Sequence, residues 1–200
     1  MIHDDEHSSQ RNDGEAALVS GIVRALRGRL LPEKGEEPLS PVAFYGDGIG
    51  IVTPHRAQQA AVVERLLRIG SGQAEHEAMM AAVDTVERFQ GQEKTVMVAS
   101  YGLGDRDQIA SEEEFLYSLN RFNVVASRAK AKLVVILSRS LIDYLPRPGH
   151  APPLPSPQAL RRWSLAGAHE TLDPCPGRLR VEELMAGGGL PGARCSTPTP

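Results

Sequence analysis

Cysteine is scarce in this chain of 200 residues, which contains only Cys175 and Cys195. These two residues form no CxxC pair and have no cluster of histidines beside them. A disulfide framework or a structural zinc site needs more cysteines or closer spacing, so neither is expected. Both cysteines are predicted to be free thiols, and no metal-binding residue is predicted.

Long apolar runs and an excess of positive charge are also missing. No stretch approaches the ~20 residues of a transmembrane helix, so no membrane partner is expected. The first 15 residues are acidic and polar, unlike a signal peptide, and the expected location is the cytoplasm. With 22 Lys and Arg against 25 Asp and Glu, the formal net charge is −3. A nucleic-acid partner would therefore need local positive charge, or charge supplied by another domain.

The sequence does contain short apolar stretches without alternation, separated by segments of helical periodicity. Strands buried on both faces have this pattern, which predicts an α/β fold with a parallel sheet flanked by helices. The predicted strands are 48–54, 81–86, 94–101 and 132–138. The predicted helices are 15–30, capped by Asn12 or Asp13, and 56–70, 119–130 and 139–146.

Composition divides the chain into three parts. Residues 1–14 are polar and are predicted to form a flexible N-terminal segment. Residues 15–146 hold the α/β domain. Prolines then crowd together, followed by a GGG run and a final STPTP, so residues 147–200 are predicted to be a largely unstructured Pro/Gly-rich tail.

Three polar segments lie at the ends of predicted strands or just beyond them, at 53–59, 84–94 and 121–130. Ligands of open parallel sheets bind at the carboxyl edge, so a ligand site is expected there. The third segment carries Arg121 and Arg128, seven residues apart. On a helix this spacing is about two turns, so both guanidinium groups leave from nearly the same face.

Three stretches in this order, GIGIVTPHRAQ, VDTVERFQGQEKTVMVASY and LNRFNVVASRAKAKLVVILS, resemble motifs IV, V and VI of superfamily 1 helicases. The nearest branch, 1B, contains the nonsense-mediated-decay RNA helicase and the Okazaki-fragment helicase-nuclease. NDGEAALVSGIVRAL resembles the helix that enters their second RecA-like domain. The resemblance covers residues 12–146. It implies a RecA-like domain of the P-loop NTPase fold, the C-terminal motor half of a helicase that uses ATP to move along single-stranded nucleic acid.

The resemblance also implies roles for individual residues. Arg128 matches the arginine finger, which stabilises charge on the γ-phosphate during phosphoryl transfer. Arg121 is a candidate second contact there, or a support for the motif. Glu93 matches the carboxylate that accepts hydrogen bonds from the ribose of ATP. Gln90 and Gly91 match a turn where glycine allows close approach to a ligand or domain, although the plainer interpretation is a turn alone.

A second set of residues matches positions on the nucleic-acid side. Thr85 matches a hydroxyl that contacts a phosphate, although an ordinary strand residue is the plainer interpretation. Thr53 and Pro54 begin the first motif, which lies on the nucleic-acid or interdomain side in the family.

Relatives place an arginine facing the γ-phosphate directly after the residue that matches Gln58. Here Arg56 is the nearby candidate, three residues away from that position along the helix.

No GxxxxGK[ST] sequence occurs, so the chain has neither a phosphate-cradling loop nor a P-loop lysine. The acidic HDDE at 3–6 follows no apolar strand and does not match a Mg²⁺-binding motif. A complete single-domain NTPase is therefore not expected. We expect one wall of an ATP site, with Mg²⁺ held by a P-loop RecA-like domain of the full-length protein or of a separate chain. The alternative is a non-catalytic RecA-like interaction module or a truncated remnant.

Simpler interpretations exist for the arginines and aromatic residues as well. Arg121 and Arg128 would be surface residues paired with Glu112–Glu114 if the motif carried no function. Phe89 and Phe122 are expected to pack in the core or between domains rather than to stack on bases.

Overall fold

The computed structural model describes residues 1–32, 37–86, 88–89 and 92–144, with the backbone alone for Leu119 and Asn120. Within this part of the chain, five parallel strands form a sheet in the order β1-β5-β4-β2-β3. The strands are β1 (Ile2–His3), β2 (Ile49–Val52), β3 (Val83–Asp84), β4 (Lys94–Ser100) and β5 (Ala129–Ser138). The predicted parallel α/β fold is confirmed.

Helices lie between most of the strands of the described part. They are α1 (Asp13–Leu26), α2 (Pro41–Ala43), α3 (Arg56–Leu67), α4 (Gln73–Ala81), α5 (Arg106–Ser111), α6 (Glu113–Leu116), α7 (Leu119–Arg128) and α8 (Arg139–Asp143), and a π-turn (Phe44–Gly48) extends α2. The predicted helices correspond to α1, α3, α7 and α8. The other four, α2, α4, α5 and α6, lie outside the predictions.

Both faces of the sheet are covered. Alternate side chains of β4 point to opposite faces. Val96 and Val98 pack in a core with α1, α3 and α4, whereas Met97 and Ala99 pack with Val125 of α7. This double burial explains why the strands show continuous apolar runs rather than alternation.

The N-terminal segment differs from the flexible segment predicted for residues 1–14. Ile2–His3 pairs in parallel with the end of β5 and forms one edge of the sheet. Asn12 caps α1, because its side chain accepts a hydrogen bond from the Glu15 N–H at 2.8 Å. Side-chain contacts therefore order this segment, and hydrophobic periodicity cannot reveal them.

A buried polar network ties α1, α3 and β4 together. The Glu15 carboxylate is fully buried, and it accepts hydrogen bonds from Ser100 Oγ at 2.7 Å and from the Gly102 N–H at 2.9 Å. Buried Gln58 of α3 donates to the same Ser100 hydroxyl at 2.8 Å and accepts from the Asn12 N–H at 2.7 Å. The network fixes the end of β4 relative to both helices.

Helix α8 is the last element of the described domain. The end predicted for that helix, at residue 146, and the predicted tail 147–200 lie outside the described residues. Among the described residues, no helix has the length and apolar character needed to cross a bilayer.

Candidate functional site

Helix α7 decides where the two arginines lie. In a parallel sheet the chain leaves a strand at the carboxyl edge, and a helix carries it back to the amino edge. Helix α7 completes this return from β4 to β5, with Arg121 in its first turn and Arg128 as its last residue. Seven residues of helix separate their Cα atoms by about 10 Å along the axis. Arg121 therefore lies toward the carboxyl edge, and Arg128 lies at the amino edge.

The predicted ligand site thus divides between two edges of the sheet. The segment that follows β2 lies at the carboxyl edge, whereas Glu93 and Arg128 lie at the amino edge, because each stands immediately before a strand rather than after one. The crossover helix, rather than the motif order, sets this separation.

Glu93 and Arg128 are neighbours at the amino edge. Strand β4 begins at Lys94 and β5 at Ala129, and these two residues are partners in the parallel register. Glu93 and Arg128 each precede them by one residue, so their backbones are adjacent, about 5 Å apart. Glu93 is exposed, whereas Arg128 is half-buried and its Nε has no hydrogen-bond partner among the described residues. The register therefore brings the backbones of an exposed acidic residue and a half-buried cationic residue next to each other.

Lys94 supports this edge from within the fold. Its side chain is buried, and its Nζ donates to the backbone carbonyl of Gly46 in the π-turn. Burial lowers the pKa of the Lys94 ammonium, and Asp47 acts in the opposite direction. The contact ties the π-turn to the start of β4, next to Glu93. The predicted contacts Gln90 and Gly91 lie outside the described residues.

The second set of predicted residues meets at the carboxyl edge. Thr53 and Pro54 follow β2, and Thr85 follows the neighbouring β3, where the Thr53 N–H donates to the Asp84 carbonyl at 3.1 Å. Pro54 and Thr85 are half-buried. Thr53 is fully buried, and its hydroxyl donates to the His55 carbonyl at 3.2 Å. Its hydroxyl therefore shapes the turn into α3, while Pro54 and Thr85 form the adjoining surface.

Arg56 is not brought to the amino edge. It is the first residue of α3, which begins at the carboxyl edge, and it is exposed there. Glu93 and Arg128 lie at the other edge. The residue directly after Gln58, Gln59, donates to the Val83 carbonyl at 2.8 Å. The arrangement gives no support to Arg56 as a nucleotide contact.

A small pocket opens at the carboxyl edge between the ends of β2 and β4 and helix α7. Arg121 contributes a charged side chain to walls that are otherwise mostly apolar, including Pro54, Tyr101, Phe122 and Val125. The pocket places Arg121 beside Pro54, in the group predicted to face nucleic acid. Phe122 lines the pocket rather than the deep core.

A cluster around Phe115 is the feature that sequence patterns did not reveal. The Arg121 Cζ lies 3.7 Å from the centroid of the Phe115 ring. His55 packs on the same ring, with centroids 6.2 Å apart and planes inclined by 29°. Its Nε2 lies 3.1 Å from a carboxylate oxygen of Glu112. The one signal in the sequence is an aromatic residue after an acidic run, six residues before Arg121.

Burial alters the chemistry of His55. His55 directly precedes α3, and its side chain is 10% exposed. Burial lowers the pKa of the imidazole, and Glu112 opposes this change. The ring therefore favours its neutral form against Phe115. In the described ranges, no group of three or more His, Cys, Asp or Glu side chains could hold a metal ion.

The parallel five-stranded sheet with helices on both faces is that of a RecA-like α/β domain. A family model described as "AAA domain" matches residues 2–140. The chain belongs to this family, in its superfamily 1B helicase form, as the motif resemblance predicts.

Three relatives are similar to parts of this domain. Over 88 residues it is 36% identical to the DNA replication ATP-dependent helicase/nuclease DNA2 of Bos taurus, covering 44% of this chain and 7% of the relative. It is 36% identical over 91 residues to the RNA helicase Mov10l1 of Homo sapiens, covering 44% of this chain and 7% of the relative. It is 28% identical over 156 residues to the DNA polymerase alpha-associated DNA helicase A of Saccharomyces cerevisiae, covering 78% of this chain and 18% of the relative. The matches span less than a fifth of each relative's length.

Proposed function

We propose that this chain supplies the C-terminal RecA-like half of an ATP-dependent helicase or translocase that acts on single-stranded nucleic acid. The observation that carries the proposal is the adjacency of Glu93 and Arg128 at the amino edge of the sheet. The two residues come from different motifs, 35 positions apart in the sequence, and the register brings them together.

This pair suits one wall of an ATP site. A carboxylate such as Glu93 accepts hydrogen bonds from ribose hydroxyls. A guanidinium that is already partly desolvated, as in Arg128, stabilises the charge that develops on the γ-phosphate during transfer. The remaining requirements are a phosphate-cradling loop and a Mg²⁺ site, which a P-loop RecA-like partner domain would provide. The 200 residues contain no GxxxxGK[ST] sequence of their own.

The carboxyl edge suits the nucleic-acid strand. Thr85 offers a hydroxyl and Pro54 an apolar surface beside it, and contacts of this kind position a backbone without reading its sequence. The names of the relatives include both RNA and DNA helicases, so either nucleic acid fits the proposal. A cytoplasmic location stays a prediction.

The proposal is tested by mixing the chain with a P-loop RecA-like partner and measuring nucleic-acid-stimulated ATP hydrolysis. Arg128→Ala is expected to lower the rate by about 10³-fold, as loss of an arginine finger does in other phosphoryl-transfer enzymes. Lys130→Ala is the matched control, because Lys130 is a nearby exposed cation. Its rate should be unchanged.

Two results would count against this function. If Arg128→Ala hydrolyses ATP as fast as the unaltered chain, Arg128 is not the finger. If the unaltered chain stimulates no hydrolysis while it still binds the P-loop partner, a non-catalytic interaction module is the better description.

A further inference from the structure

We propose that Phe115 is the positioning residue for Arg121 at the carboxyl edge, and that His55 holds Phe115 in place for this task. The ligand of the positioned guanidinium would be a phosphate of single-stranded nucleic acid. This inference rests on the proposed function, since that function assigns the carboxyl edge to nucleic acid.

The first support is the contact between Arg121 and Phe115. The distance of 3.7 Å from Cζ to the ring centroid lies well inside the ~6 Å limit for a cation–π interaction. Arginine has many rotamers, and holding it in one of them costs conformational entropy. A planar guanidinium stacked on a ring loses part of this freedom before any ligand arrives. The ring therefore preorganises the cation.

The second support is that Phe115 is itself packed against a second element, the start of α3. Phe115 belongs to the single-turn helix α6, which by itself gives little rigidity. His55, the residue before α3, packs on its ring, and a Glu112 oxygen lies 3.1 Å from the imidazole Nε2 without the geometry of a hydrogen bond. The cluster thus links the start of α3 to α6 across the carboxyl edge.

The third support is the position of the cluster. His55 directly follows Pro54, and Pro54 lines the same pocket as Arg121. Arg128, by contrast, lies about 10 Å farther along α7 at the opposite edge. An arginine remains cationic and can form two hydrogen bonds to a phosphate, so a backbone phosphate crossing Pro54 and Thr85 fits it.

The geometry is tested by NMR on the isotopically labelled 200-residue chain. A guanidinium above a phenyl ring shows upfield-shifted side-chain resonances, so Arg121 should differ from the exposed Arg24. Phe115→Leu should abolish the shift, whereas Phe115→Tyr should keep it. Ordinary Arg121 shifts in the unaltered, folded chain would overturn the proposal whatever the function of the domain.

The consequence for binding is measured by fluorescence anisotropy with labelled oligothymidylate and oligouridylate. Phe115→Leu and Arg121→Ala should each weaken binding by about three- to tenfold, the range for loss of one cation–π or phosphate contact. The double variant should be no weaker than Arg121→Ala, because both changes remove the same contact. Phe115→Tyr should bind as tightly as the unaltered chain, because tyrosine keeps the aromatic ring, and the control Arg24→Ala should also leave binding unchanged.

The outcomes separate the two ideas. Additive losses in the double variant, or normal binding by a folded Phe115→Leu chain, would overturn the positioning role. If the single variants Arg121→Ala and Thr85→Ala both bind the oligonucleotides as tightly as the unaltered chain, the assignment of this edge to nucleic acid is wrong. If the Arg121 side-chain resonances are nevertheless shifted upfield in the unaltered chain, Phe115 positions Arg121 but the positioned guanidinium does not bind nucleic acid.

Discussion

At the scale of single residues, Glu15 shows how a charge is accommodated inside the fold. A buried carboxylate is costly unless hydrogen bonds replace its water. Glu15 has such partners in Ser100, in the Gly102 N–H and in His3 Nε2 at 2.8 Å. Gly102 has a φ of +68°, a conformation that favours glycine and that allows its N–H to reach the carboxylate. The carboxylate thereby joins β1, α1 and β4.

Glu15→Ala should therefore destabilise the domain strongly. The substitution leaves several buried donors without an acceptor, so the free energy of unfolding should fall by about 3 kcal/mol or more. Urea unfolding followed by circular dichroism measures this loss. Asp13→Ala is the matched control, because Asp13 is an exposed acid in the same first turn, and its loss should stay near 0.5 kcal/mol. Equal losses in the two variants would contradict the role given to the network.

At the scale of elements, the cluster that joins α3 and α6 contains a titratable group. Burial lowers the pKa of His55 below its ordinary value of 6.5. The unfolded chain therefore takes up this proton near pH 6.5, and the folded protein takes it up only at lower pH. As pH falls through that window, the unfolded state binds more protons, so stability decreases. Below the folded pKa no further loss comes from this group.

The measurement is urea unfolding from pH 7.5 to pH 5 for the unaltered chain and for His55→Gln. The variant lacks the imidazole, so its stability should fall less steeply than that of the unaltered chain as pH drops below about 7. His7→Gln removes an exposed histidine and should leave the steeper fall unchanged. Parallel curves for His55→Gln and the unaltered chain would show that His55 does not destabilise the fold in acid.

The positions of long elements were predictable from sequence, but which of their residues face the core was harder to predict. Periodicity places α1 correctly and includes Ile22 and Leu26, which are buried. It also favours Ala17 and Leu18, which are exposed. The buried face instead includes Val19, so apolar spacing alone does not choose between neighbouring faces of α1.

Short elements escaped prediction for a different reason. Strand β1 has two residues and α6 has four, and each covers about one period, too little for a repeating pattern of apolar residues to show. Such elements persist through tertiary contacts, as β1 does by pairing with the end of β5. The contacts of Phe115 belong to this class, so the cluster around it became visible only in the folded chain.

At the scale of the whole molecule, motif order identified the candidate residues but not their arrangement. Arg121 and Arg128 share a helix face, as their spacing predicts, and yet they lie toward opposite edges of the sheet. Sequence spacing gives direction around a helix, whereas the crossover between β4 and β5 determines which end of that helix meets which edge. The grouping of Glu93 with Arg128 depends on the register of two strands, which no local pattern encodes.

Because the edges are separate, ATP and nucleic-acid interactions should respond to different substitutions in the assembled P-loop complex. Glu93→Gln should raise the KM for ATP about tenfold, since a neutral amide is a weaker acceptor for ribose hydroxyls. The nucleic-acid concentration that gives half-maximal stimulation should stay unchanged. Thr85→Val keeps the branched shape of the side chain without its hydroxyl. It should raise that concentration about threefold and leave the KM for ATP unaltered.

The double variant Glu93→Gln, Thr85→Val provides the decisive comparison. If the two edges are independent, the double variant should show the KM for ATP of Glu93→Gln and the nucleic-acid requirement of Thr85→Val. Each should agree within about 0.5 kcal/mol when expressed as a free energy. If Thr85→Val alone raises the KM for ATP as much as it raises the nucleic-acid requirement, both ligands depend on one shared site. The division of the domain into an amino edge for ATP and a carboxyl edge for nucleic acid would then be wrong.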